Sequence, residues 1–107
     1  MIRLTVLYNL PDGADQEKFL SWRLTDHQQT NESMAGVVRT DFARITDCWP
    51  EGSMPGYRFQ TTIEWPDRES FEASFYDEAV QAKLKENLKR IGDHSFFVSD
   101  VLIVSSG

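Results

Sequence analysis

Apolar residues recur along this chain with two different periods, and the order of those periods restricts the fold. Residues 2–8, 37–46 and 57–65 alternate between apolar and polar side chains, and residues 96–104 are rich in β-branched and aromatic residues. Such segments are typical of β-strands. Residues 14–28 and 67–91 instead repeat their apolar side chains at helical spacing. The predicted order is therefore strand, helix, strand, strand, helix, strand.

This order predicts the split β-α-β, ferredoxin-like arrangement: an α+β fold with a four-stranded antiparallel sheet and both helices on one face. We expect residues 1–107 to form a single domain, because the chain is short and contains no linker or repeat. The other sheet face carries a mixture that is too apolar for open water. It includes Thr5, Leu7, Gln60, Thr62 and Val98. We therefore expect a homodimer, an α/β barrel in which two sheets pack face to face.

Charge and composition narrow the class of partner. A formal net charge of −6 without a basic cluster argues against binding to nucleic acid or to an anionic membrane. No segment resembles a signal peptide or approaches the roughly 20 apolar residues of a membrane span. We therefore expect a cytoplasmic domain. The single cysteine, Cys48, and two separated histidines form no recognisable ligand set, so we expect neither a metal nor another cofactor.

His27 is the first candidate for chemistry, because histidine is the side chain whose ordinary pKa lies near neutral pH. In a regular helix His27 shares a stripe with Leu20 and Leu24, and this stripe is expected to face the sheet. Trp22 and Asp26 lie on a different stripe. The sequence leaves two interpretations of His27: a general acid–base, or a buried histidine bonded to a backbone carbonyl.

Polar residues of the second and third predicted strands are the second candidate. An acid–base histidine needs a group that fixes its tautomer, and we expect Arg39 or Asp41 to provide it for His27. If the polar strand faces line a cavity, their charges must be paired; otherwise they line a solvated edge. Alternation cannot decide, since a register error of one residue inverts the two faces. The other residues of this set are Arg58, Gln60 and Glu64.

Three aromatic residues are candidates for contact with a substrate. Trp22 either contacts a ligand or packs at a dimer contact, and Tyr57 is expected to orient a substrate from the third strand. Trp65 ends that strand, where it either contacts the ligand or anchors the second helix in the core. Aromatic side chains bury large areas in cores and in binding sites alike, so both interpretations remain open.

The element order resembles that of the dimeric α/β-barrel superfamily over nearly the whole chain. Several segments also resemble the RedY/HapK-type proteins of prodiginine biosynthesis. They are WRLTDHQ at 22–28, VRTDF at 38–42, YRF at 57–59 and EWPDRESFE at 64–72. In EthD-like members of the superfamily a histidine near the end of the first helix points to the barrel mouth, which implies a similar position for His27.

The resemblance implies a small enzyme or accessory protein of secondary-metabolite biosynthesis, in the branch that leads to a bipyrrole aldehyde. It would bind an aromatic or heterocyclic intermediate in the barrel and use His27 as acid–base in a condensation, cyclisation or dehydration. Two alternatives stay open. One is a non-catalytic carrier of a reactive intermediate, and the other is a cofactor-free monooxygenase of the same superfamily.

Overall fold

The computed structural model describes residues 1–106. Its strands form one antiparallel sheet in the order β2-β3-β1-β4, and the helices pack on one of its faces. This confirms the predicted α+β, ferredoxin-like fold. The elements are β1 (Ile2–Tyr8), α1 (Gln16–Trp22), α2 (Gln28–Glu32), β2 (Arg39–Arg44), β3 (Phe59–Trp65), α3 (Arg68–Phe75), α4 (Glu78–Asn87) and β4 (His94–Asp100).

The hydrophobic core lies between the sheet and the helices, and the period-two alternation of β1 and β3 places their apolar residues there. Phe19 of α1 and Phe71 of α3 close the core from the helical side. The buried strand residues are Ile2, Leu4, Val6, Tyr8, Phe59, Ile63 and Trp65. At roughly 1.5–3 kcal/mol for each large apolar side chain, their burial supplies most of the free energy that holds helices to sheet.

The last strand begins and ends earlier than the pattern of residues 96–104 predicts. Pairing between β1 and β4 starts at Tyr8 opposite His94 and stops at Ile2 opposite Asp100, so β4 ends where β1 no longer offers a partner. The same register places Val98 opposite Leu4 on the helix face. The predicted position of Val98 on the other face is therefore wrong by one residue, and Phe97 occupies that face instead.

The second helical region is divided into α3 and α4, each with its own N-terminal cap. Asp67 caps the start of α3 by accepting a hydrogen bond from the backbone N–H of Ser70, at 2.7 Å. Asp77 caps α4 in the same way through Ala79 and Val80. Two consecutive caps explain why the apolar stripe continues across 67–91 while the helix does not.

The first helical region contains a feature that its sequence does not predict. A π-helical turn, Arg23–His27, joins α1 to α2, and in it the backbone N–H of Gln28 donates to the carbonyl oxygen of Arg23, five residues back. In this turn Arg23, not Leu24, is the buried residue. Leu24, expected to face the sheet, is 59% exposed.

No helix within residues 1–106 is both long and apolar enough to cross a membrane.

Gly92 lies against the loop between β1 and α1, after a 3₁₀ turn, Leu88–Arg90, that ends α4. Its N–H donates to the carbonyl oxygen of Asn9 at 2.7 Å. A Cβ atom at position 92 would lie 2.9 Å from the carbonyl oxygen of Leu10. The absence of a side chain at Gly92 thus permits a close approach of two backbones.

We predict that Gly92→Ala destabilises the fold by about 1–3 kcal/mol, because the backbone of the facing loop must move to admit the methyl group. Thermal unfolding should show a Tm lower by several degrees. Gly56→Ala is the matched control, since a Cβ there meets nothing within 4 Å. Equal Tm values for the two variants would contradict the packing argument.

Candidate ligand-binding site

A cavity of about 280 Å³ lies between the helix face of the sheet and the helices. Its volume is near the lower end of the roughly 300–1,000 Å³ that small-molecule sites occupy. The strand residues in its wall come from β1, β3 and β4, and the helical residues come from both helical regions. Most of the wall is aromatic or aliphatic. The polar and charged residues that line it are Tyr8, Arg23, His27, Thr30, Asn31, Thr61, Lys83 and Asn87.

The π-helical turn brings Trp22 and His27 together in the cavity wall. Their rings are stacked, with centroids 4.7 Å apart and planes 20° apart. In a regular α-helix residues five apart point about 140° away from each other, which is why the sequence predicts separate stripes for them. That prediction is wrong because the π-helical turn inserts an additional residue. The guanidinium of Arg90 lies 4.5 Å from the Trp22 ring centroid.

His27 is held neutral by its surroundings. Burial lowers the pKa of its imidazole to about 4, and the positive charges of Arg23, Arg90 and Lys83 act in the same direction. Its Nδ1 lies 3.4 Å from Nδ2 of Asn87 on α4. At neutral pH the side chain is therefore an uncharged imidazole. One of its ring nitrogens carries a hydrogen, and the other can accept a proton.

Arg23 is the functional candidate that the sequence analysis missed. Its side chain is 1% exposed. Nη1 donates to Oε1 of Gln28 at 2.6 Å, and Nη2 donates to Oγ1 of Thr61 at 3.0 Å. The guanidinium carbon lies 4.2 Å from the ring centroid of Phe42 on β2. Burial lowers the pKa of Arg23. Its helical spacing from Phe19 is the sequence signal that would have placed Arg23 on the buried side of the helix. The usual expectation that arginine lies on the surface outweighs that signal.

A hydroxyl pair continues from Arg23 along the helix face of the sheet. Oγ1 of Thr61, which accepts from Arg23, lies 3.3 Å from the phenol oxygen of Tyr8. Thr61 and Tyr8 stand on neighbouring strands, β3 and β1, and both line the cavity. One guanidinium and two hydroxyl groups thus form the polar part of the cavity on its sheet side.

Arg39 and Asp41 lie on the opposite face of the sheet from His27. The register pairs Arg39 with Glu64 and Asp41 with Thr62, and these positions alternate with those that line the cavity. Asp41 accepts hydrogen bonds from Arg39 at 3.1 Å and from the hydroxyl of Thr62. The structure therefore does not bring the expected tautomer-fixing residues to His27. Asn87, on the second helical region, contacts it instead.

The open sheet face around Arg39 carries a network of ion pairs. Glu64 is 4% exposed and lies 2.8 Å from Arg3 and 3.8 Å from Arg39. This network supplies the pairing that a buried carboxylate requires. The sequence left two alternatives for these strand residues: the wall of a cavity or a solvated edge. The geometry favours a polar surface outside the cavity.

Tyr57 and Trp65 also lie away from the cavity. Tyr57 precedes β3 rather than starting it, and its phenol oxygen lies 2.6 Å from the hydroxyl of Ser95. Trp65 is fully buried, donates from Nε1 to the carbonyl oxygen of Ala35 at 3.1 Å, and packs edge-on against Phe71. Of the predicted substrate-binding residues, the structure brings only Trp22 to His27. The predicted contacts of Tyr57 and Trp65 with a substrate stay untested, and the positions of these two residues outside the cavity do not support them.

No group of three or more histidine, cysteine, aspartate and glutamate side chains within residues 1–106 is placed to hold a metal ion.

The sheet order and the cavity beneath the helices define a ferredoxin-like protein, and the comparisons agree. Residues 2–102 match the family model described as REDY-like protein HapK, so the chain belongs to the HapK family. HapK from Hahella chejuensis has a similar structure, with a TM-score of 0.72 at 20% identity, covering 100% of this chain and 98% of that one.

Two further solved structures share the fold. An EthD-family protein from Bacillus halodurans has a TM-score of 0.77 at 18% identity, covering 95% of this chain and 99% of that one. A dimeric ferredoxin-like protein of unknown function from Thermobifida fusca has a TM-score of 0.70 at 13% identity, covering 94% and 90%. Similarity at these identities establishes the fold alone. No curated protein matches the chain by sequence.

We predict that His27 makes the fold less stable in mild acid. Its pKa is about 4 in the fold against an ordinary 6.5, so between these pH values the unfolded chain binds more protons. The free energy of unfolding therefore falls as the pH falls from 6.5 towards 4, by about 2–3 kcal/mol from this residue. Urea unfolding across this pH range measures the effect.

The matched control is His27→Gln, which cannot titrate. Its unfolding free energy should depend less steeply on pH over the same interval, while the carboxylates contribute equally to both proteins. Identical pH dependence in the two proteins would show that His27 is not held neutral by the fold.

Proposed function

We propose that this protein binds a small aromatic or heterocyclic intermediate of secondary-metabolite biosynthesis in its cavity, and that His27 transfers a proton on it. The observation that carries the proposal is the stacked pair of Trp22 and His27 in an otherwise largely apolar wall. An indole offers a planar surface for an aromatic ligand, and a neutral imidazole beside it offers the proton acceptor. Membership of the HapK family supports a pyrrole-based substrate of the prodiginine type.

Asn87 is suited to set the tautomer of His27, the role expected from the sequence of Arg39 or Asp41. Its amide can present either an N–H or a carbonyl oxygen to Nδ1. With the oxygen on Nδ1, the other ring nitrogen, Nε2, is free to accept a proton; with the N–H on Nδ1, Nε2 carries the proton. A proton taken up at Nε2 converts the ring to an imidazolium, whose Nδ1–H still donates to the amide oxygen, and the ring can return the proton from Nε2 later in a condensation or dehydration.

The first test is binding of a bipyrrole carbaldehyde, followed by quenching of tryptophan fluorescence. We expect saturable quenching that Trp22→Phe largely removes, because Trp22 lines the cavity. Trp49→Phe is the matched control, since Trp49 is 90% exposed and is absent from the cavity wall. Quenching that survives in Trp22→Phe and disappears in Trp49→Phe would place the ligand elsewhere.

The second test is turnover. The protein is incubated with the bipyrrole carbaldehyde and a monopyrrole, and products are followed by mass spectrometry. We expect His27→Asn to keep binding and to lower the rate about 10²–10⁴-fold, as loss of an acid–base does. Binding without any conversion by the unmodified protein would favour the carrier function. Oxygen consumption during turnover would favour the cofactor-free monooxygenase.

A second copy of the chain is the proposed partner for the open sheet face. Phe97 is 51% exposed there and stands beside Thr5. The dimeric description of the Thermobifida fusca neighbour supports this assembly. We expect light scattering at micromolar concentration to give the mass of a dimer, and Phe97→Asp to weaken it because a charge would enter the contact. A monomeric mass for the unmodified protein would refute the proposal.

A further inference from the structure

The charges around the cavity are opposite in sign to those of the chain as a whole. The protein has 17 acidic and 11 basic residues. The cavity wall nevertheless contains Arg23 and Lys83, and within residues 1–106 it contains no aspartate or glutamate. The imidazole of His27 lies in the same wall and is uncharged at neutral pH. The cavity is therefore a positively charged compartment in a negatively charged protein.

Arg23 has polar contacts but no charge partner. None of the ion pairs within residues 1–106 includes it, and its Nε has no hydrogen-bond acceptor there. Against the effect of burial, Tyr8 and then Asp41 raise its pKa, and Asp41 is the one carboxylate among these groups. That carboxylate, however, lies on the opposite face of the sheet, where Arg39 and Thr62 already donate to it.

A guanidinium in this position is costly without a counter-charge. A buried cation ordinarily persists because an anion compensates its lost hydration. The hydroxyl of Thr61, the amide of Gln28 and the ring of Phe42 hold the group in place, but they are neutral. The remaining N–H groups form a planar fork suited to a carboxylate or another oxyanion.

We propose that the ligand of this cavity is an aromatic molecule that carries an anionic oxygen, and that Arg23 binds this oxygen with Lys83 as a second positive charge. The inference rests on the proposed function, because it names the class of molecule that the same cavity takes. It also gives Arg23 a role in binding the ligand. The stacked Trp22 and His27 by themselves would not require such a role.

An anion in the cavity would also raise the pKa of His27 towards its ordinary value, against burial, which is the largest cause of the lowering. The charged side chains that act on His27 are Arg23 from its own turn, Lys83 from α4 and Arg90 from the 3₁₀ turn, and all three are positive. A negative charge bound among them offsets their effect. Binding of the anion should therefore be accompanied by uptake of protons from the solution.

The test compares indole-2-carboxylate with indole-2-carboxamide by calorimetry, because the two probes share a ring and a size but differ in charge. We expect the carboxylate to bind about tenfold more tightly or better, as a hydrogen bond to a charged group implies. Titration in two buffers of different ionisation enthalpy should show proton uptake with the carboxylate alone. Equal affinities would overturn the inference, and so would tighter binding of the carboxamide.

Three variants locate the effect. Arg23→Met should reduce the preference for the carboxylate to less than about threefold while the carboxamide still binds. Lys83→Gln should weaken the carboxylate, whereas Lys85→Gln, on the same helix and with the same loss of charge, should not, because Lys85 is absent from the cavity wall. Equal weakening by both lysine variants would attribute the preference to the overall charge of the protein and overturn the inference.

Circular dichroism shows whether Arg23→Met folds. If it does not, the comparison of probes on the unmodified protein and the lysine pair still decide. Failure of this inference is distinct from failure of the proposed function. Equal, saturable binding of both indoles leaves the cavity as a ligand site with an uncharged ligand. No binding of either indole or of the bipyrrole carbaldehyde overturns both.

Discussion

The buried guanidinium of Arg23 ties together the parts of this molecule that matter for function. It joins the π-helical turn to Thr61 of β3, to Gln28 of α2 and to the ring of Phe42 on β2. Removing a cation from water costs several kcal/mol, which hydrogen bonds and a cation–π contact offset only in part. The position of this group is therefore meaningful: the fold keeps a charge in its interior at the wall of its largely apolar cavity.

The two faces of the sheet carry different groups. The helix face holds the cavity, with Trp22 and His27 stacked in its wall. The open face holds the Arg3–Glu64–Arg39 ion pairs and the exposed ring of Phe97. The proposed chemistry on one face and the proposed assembly on the other require no shared residue. A substitution on the open face is thus expected to change association without changing the cavity.

Membership of the HapK family and the ferredoxin-like fold are established, whereas the proposed reaction rests on a few side chains. A neutral imidazole surrounded by positive charges is a weak base until a ligand alters the local field. An anionic ligand would do so, and the two proposals are linked in this way. Arg23 would hold the anion, and the anion would make proton transfer at His27 favourable.

The sequence alone determined the fold class, because alternation with period two and helical spacing leave few ways to pair four strands with two helical regions. It also marked His27 and Trp22 as candidates, and both line the cavity. The sequence could not predict the contact between His27 and Trp22, since no residue pattern marks the additional residue of the π-helical turn. The sheet register alone decided that Arg39 and Asp41 face away from the cavity, because a shift of one residue would have exchanged the faces. Arg23 was missed because binary patterning places arginine outside, and only tertiary packing shows that a neutral cage encloses it.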